Sequence, residues 1–362
     1  MEERGASILL AACPRLEPSS LRRLLRAFGS AEAVVHAARE GRLTGGGIRP
    51  ATAAALAAWL ERTQAKALEE RLAHRGIRCL VRGDAAYPAP LEDLADPPTV
   101  LFVRGDLPRQ WPRAVGIVGT RRATAYGLEA TRWIAETLAG AGWVVVSGLA
   151  IGIDGQAHQT ALERGRSVAV LGCGVDVCYP SQHRALYDRM CTTGAVLSEY
   201  PPGTPVAKHH FPERNRLIAA LSEALVVVQA GDRSGALVTV DWALDLGRPV
   251  YVVPGPITSQ LFRGSNRLLQ QGAEPLVDPL DLLQALGGEA PPAAAQPVPE
   301  RWRALYEALA EGGNAASLAA WLQMPIDWVY TGLLELELAG CIERQPGGGY
   351  RRAGARSSSA AP

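Results

Sequence analysis

Six short apolar runs alternate with helical stretches between residues 114 and 278, and this alternation constrains the fold more than any other feature of the chain. The runs are nearly continuous in Val, Ile and Leu, which is typical of strands buried on both faces of a parallel sheet. The pattern predicts an α/β fold with an extended Rossmann-like, doubly wound parallel sheet over residues 81–286. The predicted strands are Ala114–Val118, Val144–Val146, Val168–Leu171, Val196–Leu197, Leu225–Val228 and Val250–Val253. The predicted helices are Tyr126–Ala141, Asp154–Arg164, Gln182–Met190, Pro212–Leu221 and Ala236–Leu246.

The segments that flank this sheet have different patterns. Residues 1–80 carry apolar residues at helical spacing, as in Leu21, Leu24, Leu25 and Phe28, and predict a small helical domain of SAM or helix-hairpin-helix type. Two short β-like runs, Cys79–Val81 and Val100–Val103, lie on either side of a proline-rich loop. These runs connect the helical segment to the sheet.

The C-terminal quarter contains a linker, a second small domain and a tail. Residues 287–299 read GGEAPPAAAQPVP and predict a Pro/Ala linker. Residues 300–353 show three helical runs followed by two β-like runs around a glycine turn, which predicts a winged-helix-like domain. This last segment is net acidic, so a role in protein contact is as plausible as one in DNA binding. We expect residues 354–362 to be disordered.

Charge and cysteine usage exclude several classes of protein. The formal net charge is +1, so any site for a polyanion must be a local patch and not a basic domain. The six cysteines include no Cys-x-x-Cys pair, and we therefore expect no structural zinc site and no other metal or cofactor. No apolar run reaches the length of a membrane span, and the N-terminal apolar run is too short for a signal peptide, so we expect a cytoplasmic protein.

Small or polar residues follow each of the six predicted strands. The carboxyl ends of parallel strands meet at one edge of a sheet, which we call the rim, and ligands of such sheets bind there. Ser147-Gly148 is one such strand end. Ser234-Gly235 opens the helix after the fifth strand, and Gly264, Ser265 and Asn266 open the helix after the sixth. Their amides and short side chains suit phosphate oxygens.

The stretch Lys208–Ala230 combines flat rings and positive charges at its start. His209, His210 and Phe211 supply rings, and Lys208, Arg214 and Arg216 supply cations, while Asn215 offers an amide. Faces for bases and charges for phosphates are what single-stranded nucleic acid requires. The alternative is a polar loop that caps a helix, and the local sequence leaves both interpretations open.

Residues Gly116–Gly127, GIVGTRRATAYG, form a second candidate site at the first strand end. The segment lacks the G-x-G-x-x-G dinucleotide fingerprint. Exposed amides before a helix still favour anions, and Arg121 and Arg122 would add two guanidinium groups. The alternative is a plain turn with solvated arginines. Both lysines of the chain, Lys66 and Lys208, follow alanine, so no Walker A nucleotide site exists.

Asp154 and His158 lie four residues apart and could share one helix face. A catalytic base with its orienting partner is conceivable there, but no convincing nucleophile accompanies the pair. We favour a structural interpretation, in which Asp154 caps a helix and His158 is hydrogen-bonded locally.

In their order along residues 110–285, six motifs resemble the DprA/Smf family, the DNA-processing proteins of natural transformation. The motifs are GIVGTRRATAYG, VVSGLAIGIDGQAH, VLGCGVDVCYP, LSEYPPGTPVAKHHFPERNRLIAALS, SGALVTVDWAL and GSNRLLQQGA. The resemblance implies sequence-tolerant binding of single-stranded DNA, homodimerisation through the Rossmann domain and loading of the recombinase RecA. It implies DNA contacts at Gly119, Arg121, Lys208 and Phe211, and weaker ones at Ser147, Asn215, Ser234 and Asn266.

Two other functions remain as alternatives to a non-enzymatic mediator. The first is a nucleotide phosphoribohydrolase of the LOG group, whose P-G-G-x-G-T-x-x-E signature corresponds here to QAGDRSGALVTVD, without the glycine turn and the glutamate. The second is a scaffold that recruits RecA and has only incidental affinity for DNA. We expect no catalytic residue in this chain.

Overall fold

A computed structural model describes residues 2–43, 47–108, 110–289, 298–310, 312–345 and 348–352. The chain forms two compact units, Met1–Ala290 and Pro291–Pro362. Most of the predicted linker and the whole predicted tail lie outside the described residues. No helix among the described residues is both long and apolar enough to cross a membrane.

The first unit is built on a nine-stranded sheet with the strand order β1-β2-β6-β5-β4-β3-β7-β8-β9. The strands are β1 Ile77–Val81, β2 Val100–Gly105, β3 Ala114–Gly119, β4 Val144–Ser147, β5 Ser167–Val170, β6 Ala195–Ser198, β7 Ala224–Gln229, β8 Val250–Val252 and β9 Glu274–Pro275. The pairs from β6 to β9 are parallel, whereas β1–β2 and β2–β6 are antiparallel. The predicted parallel sheet is confirmed, with an antiparallel pair at one edge.

The chain reverses its direction of progress across the sheet at β3. From β3 it moves outward through β4, β5 and β6, and then returns to place β7 on the other side of β3. Such a reversal opens a crevice at the carboxyl ends of the strands, where open α/β sheets bind ligands. The topology therefore predicts the site above β3 and its neighbours.

Helices cover both faces of the sheet. They are α6 Ala125–Gly140, α7 Ile153–Arg164, α8 Arg184–Thr193, α9 His210–Ala220, α10 Ala236–Asp245, α11 Arg263–Gln270 and α12 Pro279–Ala285. Alternate residues of β3 separate the two cores: Val115 and Ile117 pack with α6, α7 and α12, whereas Ala114 and Val118 pack with α9 and α10. Both faces of the central strand are therefore buried, as its unbroken apolar sequence predicts.

Among the first eighty residues, those that the structure describes form five helices that share a core with the sheet. These are α1 Glu3–Ala11, α2 Pro18–Phe28, α3 Ala31–Arg39, α4 Pro50–Arg62 and α5 Ala65–His74. Their apolar faces pack with Phe102 and Val196 of the sheet, and β1 already begins at Ile77. The helical content is as predicted, but the helices belong to the same compact unit as the sheet. A domain boundary at residue 80 stays a prediction.

A buried carboxylate joins the N-terminal helices to α9. Glu199, which follows β6 and is 7% exposed, pairs with Arg22 of α2 and with Arg216 of α9. Arg216 is itself only 5% exposed and also donates to the carbonyl of Asp96 at 2.9 Å. A charge in such a position stays buried only because its partners compensate for lost hydration.

The second unit matches the predicted winged-helix fold. It consists of α13 Arg303–Ala308, α14 Ala315–Leu322, α15 Ile326–Leu338, β10 Ile342–Arg344 and β11 Tyr350–Arg352. Strands β10 and β11 pair in antiparallel register, and Trp302, Leu305 and Leu333 contribute to its own small core. The Asn314 side chain caps α14 by accepting from the Ser317 amide at 2.8 Å.

Replacing Glu199 with glutamine should destabilise the first unit strongly, because Arg216 would remain buried without an anion. We expect a loss of about 3–5 kcal/mol in the free energy of unfolding, measured by urea denaturation. Glu92→Gln is the matched control, since Glu92 pairs with Arg82 on the exposed surface and should cost under about 1 kcal/mol. Equal losses in the two variants would contradict the assignment.

Candidate functional site

Arg121, Phe211 and Tyr179 form an aromatic and cationic cluster at the rim. Arg121 follows β3, and its guanidinium carbon lies 5.2 Å from the centre of the Phe211 ring, within cation–π distance. Phe211, in the first turn of α9, lies with its ring centre 5.7 Å from that of Tyr179. Two loops and a helix from separate parts of the chain thus meet above the crevice that the topology predicts.

A small cleft lies beside this cluster, between the loops that follow β3, β4 and β5. Its walls include Arg121, Gly148, Ile151, Tyr179 and Phe211. The cleft has a volume of about 40 Å³, whereas sites that enclose small ligands typically measure about 300–1,000 Å³. The cleft is therefore too small to enclose a nucleotide, although the exposed Tyr179 ring and the half-buried Phe211 ring offer faces to a base.

A larger open groove continues from the same arginine. It has a volume of about 580 Å³, and its lining includes Arg121, Arg122, Arg189 and His183 together with three glutamines. No carboxylate is found among the described residues that line either the groove or the cleft. The two concavities form one surface that is positive, rich in amide groups and open to solvent.

Lys208 is exposed and lies two residues before α9 begins. Three residues of extended chain span at most about 11 Å, so Lys208 lies close to Phe211 and its neighbours. The prediction that Arg121, Lys208 and Phe211 are accessible on one side of the molecule is consistent with this arrangement. Their contact with DNA stays a prediction.

Six of the predicted contact residues are buried, and all but Gly148 hold the rim together through internal contacts described next. Ser147 is fully buried and donates to the carbonyl of Ile117 at 2.6 Å, which joins β4 to β3. Arg214 is 6% exposed, and its guanidinium donates to the carbonyls of Gly148, at 2.8 Å, and Val170. Asn215 accepts from Arg214 and donates to the carbonyl of Gly235 at 3.2 Å. The polar groups of Ser147, Arg214 and Asn215 are thus used internally, and direct DNA contact by these residues stays a prediction that their burial does not support.

The remaining two buried residues lie where α11 begins. A Cβ atom added to Gly264 would lie 2.5 Å from the Gly231 carbonyl oxygen, so this glycine permits a close backbone contact. Ser265 is fully buried, and its hydroxyl donates to the Phe262 carbonyl at 3.0 Å. Here too the burial does not support direct DNA contact, which stays a prediction. The half-buried Asn266 is bound on both sides by the backbone of Gly255, at 3.0 and 3.2 Å.

The other predicted residues remain accessible to different degrees. Ser234 is half-buried and Gly235 is exposed at the start of α10. Gly119 is half-buried, and a Cβ atom there would lie 2.5 Å from the Ile153 side chain, so its role is at least partly packing. Gly148 is buried yet contributes to the wall of the small cleft.

Sequence reasoning missed Tyr179 and Arg189. Tyr179 lies in the loop after β5, several residues beyond the strand end, and it is 39% exposed. Arg189 lies on α8, away from any strand end, and only the fold brings it to the groove. An exposed ring followed by proline after a rim strand was the available signal for Tyr179.

Asp154 and His158 have structural roles, as favoured from the sequence. Asp154 is buried and accepts from the amides of Gly148 and Ala150 at 3.2 and 3.4 Å. The two ring nitrogens of His158 contact the Ser167 hydroxyl, at 2.7 Å, and the Leu149 amide, at 3.3 Å. Burial lowers the pKa of His158 to about 3, with a further contribution from the Arg214 charge. His158 is therefore neutral, and both of its ring nitrogens have hydrogen-bond partners.

The cysteine that lines the cleft is also a poor catalytic candidate. Burial raises the pKa of the Cys173 thiol to about 12. The thiol therefore stays protonated near neutral pH, and a protonated thiol is a weak nucleophile.

Together, the fold and the rim define a Rossmann-like α/β protein with an open, cationic and aromatic rim, accompanied by a winged-helix unit. Residues 78–287 match the family model for DNA recombination-mediator protein A, and residues 289–348 match that for the DprA winged helix domain. The chain belongs to the DNA recombination-mediator protein A family, as its motifs suggested.

Relatives of known name agree with this assignment. DNA processing protein DprA of Bacillus subtilis is 40% identical over 214 residues, which cover 59% of this chain and 72% of the relative. Protein Smf of Escherichia coli is 39% identical over 279 residues, which cover 73% and 75% of the two chains.

Two solved structures are similar along most of their own length. DNA processing protein A of Streptococcus pneumoniae superposes with a TM-score of 0.64 at 30% identity and covers 77% of this chain and 97% of its own. DNA processing protein A of Helicobacter pylori, whose structure concerns single-stranded DNA binding, superposes with a TM-score of 0.53 at 31% identity. It covers 58% of this chain and 95% of its own.

The neutral state of His158 makes stability depend on pH. In the unfolded chain this histidine has a pKa of about 6.5, so the unfolded state gains a proton first as the pH falls. The stabilisation is present above about pH 6.5 and is lost towards pH 3. Between pH 7.5 and pH 5.0 we expect a loss of about 2 kcal/mol from this group alone.

This loss is measurable by urea denaturation at the two pH values. His158→Gln should lose about 2 kcal/mol less than the wild-type protein on acidification, whereas His74→Gln, at an exposed position on α5, should behave like wild type. An undiminished loss in His158→Gln would contradict the assignment.

Proposed function

We propose that this protein binds single-stranded DNA along the rim, without strong sequence preference, and acts as a recombination mediator. The observation that carries the proposal is the contact of Arg121 with Phe211 at 5.2 Å, beside exposed Lys208 and a groove lined by two more arginines. The rings stack with bases, and the cations neutralise phosphates. Neither interaction depends on base identity, which suits a protein that must accept any incoming strand.

The biological role that we propose for strand binding is based on the relatives of this chain. Relatives are named as DNA processing proteins, and the H. pylori relative binds single-stranded DNA. We infer that this chain protects incoming strands during natural transformation, loads RecA onto them and forms a homodimer through its Rossmann-like unit. The open groove supports this role, because a bound strand would keep one side accessible to RecA.

The second unit fits a role in protein contact better than one in DNA binding. Ile326, Tyr330, Leu334 and Leu338 follow one another at intervals of four along α15, and all are at least 40% exposed. Residues 315–342, which contain α14 and α15, include no lysine or arginine. A helix that lacks cations cannot neutralise phosphates, whereas an exposed apolar stripe suits a protein surface.

The phosphoribohydrolase alternative is disfavoured by the geometry. Glycosidic hydrolysis generally employs a carboxylate near the scissile bond, and the described residues that line the cleft and groove include none. The cleft is also too small to enclose a nucleoside monophosphate. We expect no free base after incubation with nucleoside monophosphates, measured by chromatography, and release of base at a turnover rate would support the enzyme instead.

The double variant Arg121→Ala/Lys208→Ala should abolish retention of an oligo-dT strand in a gel-shift assay. At low salt, where residual binding is still measurable by fluorescence anisotropy, loss of two phosphate contacts should lower the slope of log affinity against log salt by about 1.4, at about 0.7 per contact for single strands. Lys66→Ala/Arg132→Ala is the matched control, because it removes the same charge from exposed positions on α5 and α6. Wild-type affinity in the rim variant would refute the site.

Phe211→Leu should weaken strand binding by about 1–3 kcal/mol, because leucine keeps apolar volume but offers no face for stacking. Phe211→Tyr keeps the ring and should bind nearly as well as wild type in the same fluorescence-anisotropy titration. If leucine and tyrosine bind equally well, the ring does not stack with a base.

The scaffold alternative makes a different prediction for the double variant. If the protein only recruits RecA, stimulation of RecA filament formation should survive the loss of Arg121 and Lys208. If the proposal is right, stimulation and strand binding should be lost together.

A further inference from the structure

Glu17, His209 and His210 bring three metal-ligating groups together beside the rim. Their ligating atoms all lie within 4.8 Å of one another. No other group of three His, Cys, Asp or Glu side chains with this spacing occurs in the described ranges of the chain. Glu17 immediately precedes α2, and the two histidines open α9, so the cluster lies between the N-terminal helices and the sheet.

The buried member, His210, is oriented as a metal ligand would be. Its side chain is 3% exposed, and its Nδ1 atom lies 3.0 Å from the carbonyl oxygen of Gly172. Because a carbonyl only accepts hydrogen bonds, Nδ1 carries the proton and Nε2 presents a lone pair. Metal-ligating histidines almost always hold their second nitrogen in this way. Stacking with the Tyr200 ring, at 4.0 Å between centres, fixes the plane of the imidazole.

The lone pair of His210 has no hydrogen-bond partner. Its Nε2 atom is buried, and no donor or acceptor among the described residues bonds to it. The Oε2 atom of Glu17 lies 3.7 Å away, too far for a hydrogen bond. A buried polar atom left without a partner is uncommon in native structures and points to a missing ligand.

The spacing of the cluster suits a tetrahedral ion. Two ligands bound at about 2.0–2.1 Å to one tetrahedral zinc lie about 3.3–3.5 Å apart, close to the distance between Glu17 and His210. The exposed His209 ring lies edge-on to His210 at 4.4 Å between centres and completes the set. The exposed side chains of Glu17 and His209 leave a path for an ion to enter.

We propose that Glu17, His209 and His210 form a binding site for a zinc ion, with water in the fourth position. Two imidazoles and one carboxylate form a donor set that zinc commonly adopts. The proposal contradicts the expectation from the sequence, which predicted no metal, because Glu17 is separated from the histidines by the first six strands. It does not depend on strand binding, although Phe211 adjoins the site.

The test uses the full-length protein after treatment with a chelator, at pH 7.5. Cobalt(II) is titrated and followed by its visible absorption, and zinc is titrated by calorimetry. We expect one ion per chain for each metal and the intense absorption of tetrahedral cobalt. Glu17→Gln and His209→Gln should each weaken binding at least tenfold.

The controls are His74→Gln and Glu61→Gln, which change exposed groups of the same kinds elsewhere and should bind like wild type. Zinc in excess should raise the melting temperature of the wild-type protein and of both controls, but not that of Glu17→Gln. Glu17 and His209 are exposed, so these variants should fold, which far-UV circular dichroism checks.

Two results would overturn the proposal. One is the absence of binding at one ion per chain in the wild-type protein. The other is unchanged affinity in Glu17→Gln and His209→Gln, which would place the ion elsewhere on the chain.

Discussion

The rim depends on one buried guanidinium group. Arg214 extends from α9 under the loops and donates to the carbonyls of Gly148 and Val170, at the ends of β4 and β5. Each of these carbonyls would otherwise be a buried acceptor at an end of the sheet, where the strand ladder can no longer satisfy it. The same contacts fix the first turn of α9, and so they hold Phe211 over the crevice where Arg121 meets it. A cation placed for structure thereby positions a ring and a second cation for function.

The sequence was sufficient to predict the parallel sheet, whereas the location of the DNA site at its rim stays a prediction. Unbroken apolar runs such as Leu225–Val228 can only be interior strands when helices separate them, and parallel strands gather their carboxyl ends at one edge. The sequence could not show which rim residues point outward. Ser147 and Arg214 carry the same polar groups as ligand-binding residues do. The backbone carbonyls to which they donate lie on other strands or at their ends, so the local sequence does not show that these side chains are buried. The sequence also could not predict the position of Arg189 in the groove or the cluster of Glu17 with the two histidines. In both cases residues that are far apart in the sequence come together only in the folded chain.

Charged side chains are concentrated on particular surfaces of the chain, and no whole domain is strongly basic or acidic. The chain is close to neutral, yet the groove beside Arg121 has no carboxylate among its described lining residues, while Glu199 is buried between two arginines. A local patch of this kind attracts a polyanion at short range without drawing the whole protein onto every nucleic acid. The second unit shows the opposite local charge, because its α14–α15 stretch contains no lysine or arginine. The proposed strand binding and the proposed protein contact thus fall on surfaces of different chemistry.

The scarcity of lysine has a practical consequence. With only Lys66 on α5 and Lys208 at the rim, both exposed, the chain offers very few side-chain amines to acylating reagents. Lys208 is thus nearly a unique chemical handle, and under the proposed function its protection from modification would report occupancy of the rim without any engineered label. A lysine-rich sequence would spread such a signal over many equivalent amines, whereas here a single mass increment, on the fragment that contains Lys208, would report the change.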